Sequence, residues 1–210
     1  MKHQQNRRLI AGLWLPATDP DYFSKHGTVD GYAAYQYDRL TTAMKYVKYR
    51  RTCVDGGAHV GSWSVHLSKL FKDVHAFEPM QHNFDCLIAN TEKMPNVHRY
   101  MAALSSTVGT VNMSRQGGKS YAWHVKPAGT PHPCVSLDSL ALEYVDLLKL
   151  DVEGHEFEAL NGAIDLLHHC RPVVIIEEKL DPSLRASTFL KEQGMQQVAQ
   201  IKWDKIFVWP

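Results

Sequence analysis

The sequence predicts an α/β fold built on a largely parallel β-sheet. From about residue 51 onward, short apolar runs alternate with segments of helical periodicity, the order typical of β-α-β units. The chain of 210 residues, 44% of them hydrophobic, is long enough for one substantial core. We therefore predict one domain over residues 51–210, preceded by an N-terminal extension over residues 1–50.

Each predicted strand is a short apolar run, and each predicted helix places apolar residues on one face. The strands are predicted at residues 51–55 (RTCVD), 74–78 (VHAFE), 97–100, 146–151 (DLLKLD), 172–177 (PVVIIE), 197–201 and 205–209. Helices are predicted at residues 62–70, 83–94 and 184–193, and another passes through Phe157 and Leu160. The last two strands have little sequence between them, which indicates a hairpin with one antiparallel member.

Residues 105–133 interrupt this alternation. They are rich in Gly, Ser, Thr, Asn and Pro and contain only short β-like pieces. We interpret them as an insertion, and two roles stay open: a loop that carries substrate specificity, or a plain surface meander.

Composition excludes several classes of protein. No apolar run approaches the ~18 residues that a membrane-spanning helix needs, and the N-terminus MKHQQNRRL is polar. The four cysteines are scattered and form no C-x-x-C pair. We therefore expect a cytoplasmic protein with free thiols and no membrane span.

A glycine-rich turn joins the first predicted strand to the first predicted helix. Residues 55–61 (DGGAHVG) have the form D-x-G-x-x-x-G. Glycines let the backbone pass close to a ligand, and Asp55 can meet a positively charged group. A nicotinamide dinucleotide would favour G-x-G-x-x-G and would place its pyrophosphate beside this acid. S-adenosylmethionine has an α-ammonium group and no phosphate, so the turn favours it as the ligand.

An acidic residue ends the second predicted strand. Glu78 follows the turn after one helix, where a carboxylate can accept both ribose hydroxyls of an adenosine. The adenine ring is then expected beyond the third strand, near residues 102–104. The alternative is that Asp55 is only a turn residue and Glu78 only caps the next helix.

Several segments resemble the FkbM family of methyltransferases. They are VDGGAHVGSWS, FEPMQHNFDCLIAN, AALSSTVG, VSLDSL, KLDVEGHEFEALNG and RPVVIIE, in this order from about residue 52 to 178. The resemblance implies a class I methyltransferase fold, which is a Rossmann-like three-layer sandwich with a seven-stranded, mostly parallel sheet and one antiparallel strand. It also implies S-adenosylmethionine as the cofactor, S-adenosylhomocysteine as its product, and transfer of the methyl group to a hydroxyl oxygen.

The predicted cofactor-binding residues belong to the turn, to the two strand ends and to the segments beside them. They are Asp55, Gly56, Gly57, Ala58, His59, Gly61, Glu78, Pro79, Asn83, Ala103 and Asp151. We expect the N-terminal extension to pack near this site, with Tyr32, Tyr35, Gln36 and Tyr37 either as a lid or as the apolar face of a packing helix.

Two residues are candidates for catalysis. Asp151 ends the fourth predicted strand beside the expected methyl group, and His155 is a candidate general base. The alternative is that Asp151 caps the following helix and that His155 lies in its first turn. We predict no metal ion, although Asp151, Glu153 and Glu177 offer oxygen ligands that a divalent cation would accept.

The predicted function is O-methylation of a hydroxyl on a small molecule or a carbohydrate. Methylation of an RNA ribose hydroxyl is an alternative, supported by the basic stretch Lys45, Lys48, Arg50 and Arg51. A third alternative is a non-catalytic protein that binds S-adenosylmethionine.

Overall fold

The computed structural model describes residues 7–19, 23–115 and 123–210. The strands are β1 (Arg7–Ile10), β2 (Leu13–Pro16), β3 (Thr28–Val29), β4 (Tyr32–Ala33), β5 (Thr52–Gly56), β6 (Asp73–Phe77), β7 (Val97–Tyr100), β8 (Ala103–Leu104), β9 (Gly109–Arg115), β10 (Trp123–Val125), β11 (Thr130–Val135), β12 (Val145–Leu150), β13 (Val173–Glu177), β14 (Gln196–Ile201) and β15 (Asp204–Val208). The helices are α1 (Tyr37–Ala43), α2 (Ser64–Leu67), α3 (Gln81–Asn90), α4 (Glu156–Asn161), α5 (Ile164–Cys170) and α6 (Arg185–Glu192).

Seven strands form the central sheet, in the order β14-β15-β13-β12-β5-β6-β7. Only β15 runs antiparallel to its neighbours. The predicted fold class and the predicted antiparallel member of the final hairpin are therefore confirmed. The strand order reverses between β5 and β12, and this reversal leaves a crevice at the carboxyl ends of those strands.

Apolar side chains alternate between the two faces of this sheet, and each face carries its own core. Leu148 and Val174 lie in a core with residues of α4, α5 and α6. The neighbouring Leu147 and Ile175 lie in a second core with residues of α1, α2 and α3. Because helices cover both faces, the central strands are buried on both sides, as a parallel sheet requires.

The N-terminal residues form two short β-ladders and helix α1. Leu13, Leu15 and Phe23 are fully buried in a third core that also holds residues of α2 and α3. The Asn90 side chain accepts a hydrogen bond from the Trp14 N–H (2.7 Å) and donates to the Trp14 carbonyl oxygen (3.0 Å). The segment is thus packed against the domain along the α3 side.

The insertion forms a small sheet of its own, in the order β10-β9-β11-β8. Strand β11 pairs with β8, which follows β7 by only two residues, so the small sheet lies beside the crevice. Pro131 and Pro133 lie within β11, which explains why strand periodicity is hard to read from this segment. No helix within the described residues has the length and apolarity needed to cross a membrane.

Candidate active site

A cavity of about 360 Å³ lies at the carboxyl ends of the central strands, where the strand order reverses. Eight of the predicted site residues line it: Gly57, His59, Glu78, Pro79, Asn83, Ala103, Asp151 and His155. The other four, Asp55, Gly56, Ala58 and Gly61, are not among its lining residues. The structure therefore brings the glycine-rich turn, both strand-end acids and the candidate base around one space.

The glycine-rich turn is held in place by backbone contacts. Gly57 has φ +73°, and a Cβ atom there would lie 1.8 Å from the Asp151 carbonyl oxygen. The N–H groups of Gly57 and Ala58 both donate to the Phe77 carbonyl oxygen, at 3.1 and 2.8 Å. Gly57 thus allows β5 and the segment after β12 to approach closely at the cavity wall.

Asp55 is fully buried behind the turn. Its Oδ1 lies 3.1 Å from the Lys149 Nζ, and its Oδ2 accepts a hydrogen bond of 2.7 Å from the Ser64 hydroxyl. Lys149 also donates to the carbonyl oxygens of Gly56 (3.2 Å) and Gly57 (3.0 Å). The carboxylate thus faces Lys149 and Ser64, so in this arrangement it supports the turn and does not point at a ligand's ammonium group.

Lys149 is the buried cation of the site. Burial lowers its pKa, but the negative charges of Asp55 and Asp151 outweigh this effect and raise the pKa above its ordinary value. The ammonium group therefore stays charged and neutralises the carboxylates around it.

Glu78 is buried at the end of β6 and accepts three hydrogen bonds. They come from the N–H groups of His59 (3.0 Å) and Met80 (2.9 Å) and from the Asn83 amide (3.3 Å). Burial raises the pKa of this carboxyl to about 7, although those hydrogen bonds oppose the shift. Each carboxylate oxygen has two lone pairs; Oε1 accepts two of these bonds and Oε2 accepts one, so one lone pair on Oε2 remains to accept a hydroxyl group from the cavity.

An apolar slot lies next to Glu78. Phe77 and residues 102–104 line it, and Met113 and Trp123 of the small sheet also line the cavity. The Phe77 ring stacks on Tyr100, with ring centroids 4.6 Å apart. This position agrees with the predicted place for an adenine ring.

Three carboxyl groups gather on the opposite side of the cavity. Asp151, Glu153 and Glu177 each offer an oxygen, and these oxygens lie within 4.8 Å of one another. Burial, followed by the negative charge of Asp151, raises the pKa of both Glu153 and Glu177 to about 8. Lys179, which also lines the cavity, counters part of this repulsion. That no metal ion binds to these three carboxyl groups stays a prediction.

His155 lies at the cavity wall just before α4. Its Nε2 is 3.0 Å from the Ser105 hydroxyl oxygen, and its Nδ1 is 3.5 Å from the Glu158 carboxylate. Burial lowers the pKa of the imidazole, and Glu158 opposes that effect. The ring is therefore neutral at pH 7 and can accept a proton.

Part of the predicted lid reaches the cavity. Tyr35 and Gln36 line it, whereas the rings of Tyr32 and Tyr37 pack edge-on against His66, with centroids 6.4 and 5.1 Å away. Gln36 is held by the Trp63 indole N–H, which donates to its amide oxygen over 3.1 Å. Its left-handed backbone, with φ +54°, is sparsely populated for a residue with a side chain.

Sequence reasoning missed Lys149 as a member of the site. The residue stands in the run DLLKLD, and every residue of β12 is buried. A lysine in an otherwise apolar buried strand needs an ionic partner, and this signal was available in the sequence. The contributions of Met113 and Trp123 had no such signal, because they depend on how the insertion folds.

Comparison with known proteins agrees with the fold. Residues 55–201 match the model of a protein family described as Methyltransferase FkbM domain. The chain is 26% identical over 162 residues to the hexuronic acid methyltransferase AglP of Haloferax volcanii, a match that covers 73% of this chain and 67% of that protein.

Two solved structures share the fold. Methyltransferase FkbM from Methylobacillus flagellatus KT matches with 17% identity and a TM-score of 0.53, over 75% of this chain and 42% of that one. This chain thus spans less than half of that protein. Precorrin-6y C5,15-methyltransferase from Geobacter metallireducens GS-15 matches with 18% identity and a TM-score of 0.54, over 93% and 98% of the two chains.

The family match begins at the end of β5 and includes the glycine-rich turn, Glu78 and the acidic group, which are the parts that build the cavity. The chain therefore belongs to the FkbM family of methyltransferases.

Proposed function

We propose that this methyltransferase moves a methyl group from S-adenosylmethionine to a hydroxyl group of an acidic sugar. The observation that carries the proposal is the composition of the cavity. One end combines the Glu78 carboxylate with an apolar slot, and the other combines His155 with a group of acids. The first end suits a nucleoside, and the second suits a polar acceptor that must lose a proton.

The residues at the first end are suited to hold the methyl donor. Glu78 would accept a ribose hydroxyl through Oε2, and residues 102–104 would contact the adenine ring. Asp151 lies on the side expected for the α-ammonium group, and Gln36 is placed for the carboxylate of the methionine moiety. When bound, S-adenosylmethionine supplies an electrophilic methyl group on a sulfonium sulfur.

At the other end, the chain's own groups orient the acceptor and remove its proton. His155 is the base in this proposal: with its Nδ1–H facing Glu158, the Nε2 lone pair accepts the proton directly or through the Ser105 hydroxyl. The apolar side chains of Met113, Trp123 and Val125 exclude water from the reacting centre.

Two observations support this acceptor class, namely the name of the relative and the charges at the cavity. The Haloferax volcanii protein acts on a hexuronic acid, as its name states. Lys25 and Lys179 line the cavity, and each supplies a cation that can pair with the carboxylate of such a sugar. These charges support a hexuronate acceptor over a neutral one.

The first experiment is calorimetric titration with S-adenosylmethionine and S-adenosylhomocysteine, with NAD as the control ligand. We expect the first two to bind and NAD not to bind. Glu78→Ala is expected to lose most of this affinity, and Glu92→Ala, which changes an exposed residue after α3, to keep it. Undiminished affinity in Glu78→Ala would show that the ribose assignment is wrong.

The second experiment is transfer of a labelled methyl group to glucuronic acid, galacturonic acid and RNA. Label in either uronic acid supports the proposal. Label in RNA alone would indicate that the acceptor is a ribose hydroxyl. Binding of the methyl donor without transfer to any of the three would contradict the proposed acceptor class.

A further inference from the structure

The turn between β14 and β15 carries an exposed tryptophan beside the cavity. Trp203 is 54% exposed, and Lys202 precedes it with φ +56°. Two-residue hairpin turns favour glycine or asparagine, so turn formation does not account for a tryptophan here. The residue leaves a large apolar surface in water, and such surfaces mark binding sites where several of them lie together.

Backbone contacts fix the position of this turn relative to the cavity. The Glu178 N–H donates to the Trp203 carbonyl oxygen over 3.0 Å. The residues on either side of Glu178, namely Glu177 and Lys179, both line the cavity, and Glu177 is the register partner of Asp204. The backbone of Trp203 therefore lies at the carboxyl end of β13, next to the wall that holds the acidic group.

Two more exposed apolar side chains lie on the loop after β13. Leu180 is 45% exposed and Leu184 is 44% exposed. Leu180 approaches Gly154, where a Cβ atom would lie 3.3 Å from the Leu180 Cβ, so it continues the wall formed by residues 152–155. We name Leu180, Leu184 and Trp203 the outer platform.

Lysines border the outer platform. Lys179 precedes Leu180, and Lys202 precedes Trp203. Lys202 also lowers the pKa of His26, after burial, Lys25 and Arg39, so its charge lies on the same side as Lys25, which lines the cavity. Within the described residues, no ion pair joins Lys25, Lys179 or Lys202 to an acidic side chain. The charges of Lys25 and Lys202 are available to an anionic ligand, whereas that of Lys179 also acts on Glu153 and Glu177.

The size of the cavity limits what it can hold. A volume of about 360 Å³ lies near the lower end of the range for ligand pockets, so we expect the cavity to hold the methyl donor and no more of the acceptor than the sugar ring that reacts. Further sugar rings of a longer acceptor must lie outside, over the outer platform. Pyranose rings present apolar C–H faces, which pack against aromatic rings, and uronic acid carboxylates complement the lysines.

From these observations we infer that the acceptor is an oligosaccharide that contains uronic acids, and that Trp203 binds the sugar ring next to the one that is methylated. This inference rests on the proposed function, because it extends the acceptor site of that reaction.

The test compares galacturonic acid with trigalacturonic acid as acceptors. For the wild type, we expect a higher kcat/KM with the trisaccharide. In Trp203→Ala this preference is expected to fall about five- to tenfold through KM, in line with one lost aromatic contact. Trp203→Phe is expected to restore most of the preference. Affinity for S-adenosylmethionine, measured first on each variant, serves as the folding control.

The matched control is Trp14→Ala, which removes a tryptophan of 40% exposure from β2, on the α3 side of the domain. It should retain the trisaccharide preference. An equal preference in Trp203→Ala and the wild type would overturn the inference while leaving the proposed function intact. Absence of transfer to either sugar by the wild type would overturn both.

Discussion

Replacement of Glu78 by glutamine is expected to change how stability depends on pH. The carboxyl group of Glu78 has a pKa of about 7 in the folded protein, raised from an ordinary value of 4.5 chiefly by burial. As pH rises between these values, the unfolded chain loses the proton first, so the folded state becomes progressively less favoured. Glu78→Gln has no proton to lose, so this contribution to the pH dependence is absent.

The magnitude follows from the two pKa values. Their separation is 7 − 4.5 = 2.5 units, and each unit corresponds to ~1.4 kcal/mol, which gives about 3 kcal/mol over the whole window. Glu78 is buried, so solvent screening does not reduce this figure by much. This contribution of Glu78 to the free energy of unfolding is fully present below pH 4.5 and is lost above pH 7.

The assay is urea denaturation of the unliganded protein at pH 5 and pH 8. Between these pH values the wild type should lose roughly 2 to 3 kcal/mol more of its free energy of unfolding than Glu78→Gln. Glu92→Gln is the control and should follow the wild type. The same pH dependence in wild type and Glu78→Gln would refute the assignment of a raised pKa to this carboxyl. A second readout is affinity for the methyl donor, which should weaken about tenfold per pH unit below 7, because hydroxyl groups donate to the ionised form.

Three further substitutions test other parts of the site. Lys149→Met leaves the Asp55 carboxylate buried without its cation and should lower the free energy of unfolding by about 3 to 5 kcal/mol in urea, whereas adding Asp55→Asn should restore most of it. His155→Gln should reduce the rate constant of methyl transfer at least about 100-fold in a single-turnover assay, without changing the dissociation constant of the methyl donor. An unchanged rate constant would show that His155 is not the base. Gly57→Ala should abolish binding of the methyl donor in calorimetry, since its Cβ would overlap the Asp151 carbonyl oxygen; retained binding would mean that the turn can move.

Local sequence patterns predicted most of the central sheet. The third strand was predicted at residues 97–100 and is observed as β7 at Val97–Tyr100. The observed ends of the other central strands differ from the predicted ends by no more than one residue. The helix predicted at residues 62–70 is shorter, because hydrogen bonds to the third preceding residue flank α2 at Ser64–Leu67. Strands were predictable because burial on both faces forces near-continuous apolar runs.

Contacts between distant segments were not predictable from the sequence. Asp138 accepts hydrogen bonds from the N–H groups of Asp165 (3.2 Å) and Leu166 (2.9 Å), so it caps α5 from 27 and 28 residues away. The insertion likewise has no periodicity that reveals its pairing with β8. Both features depend on tertiary placement, which local propensity does not encode.

The glycine-rich turn and the segment KLDVEG act as one structural unit, although 93 positions separate Gly56 from Lys149. Lys149 is the register partner of Asp55 in the β5–β12 pair, and its ammonium group binds that carboxylate. The Asp151 N–H donates to the Gly56 carbonyl oxygen over 3.1 Å. The turn that we propose faces the methyl donor is therefore held by the strand that ends at the proposed acceptor side, so changes at Lys149 should disturb both ends of the cavity together.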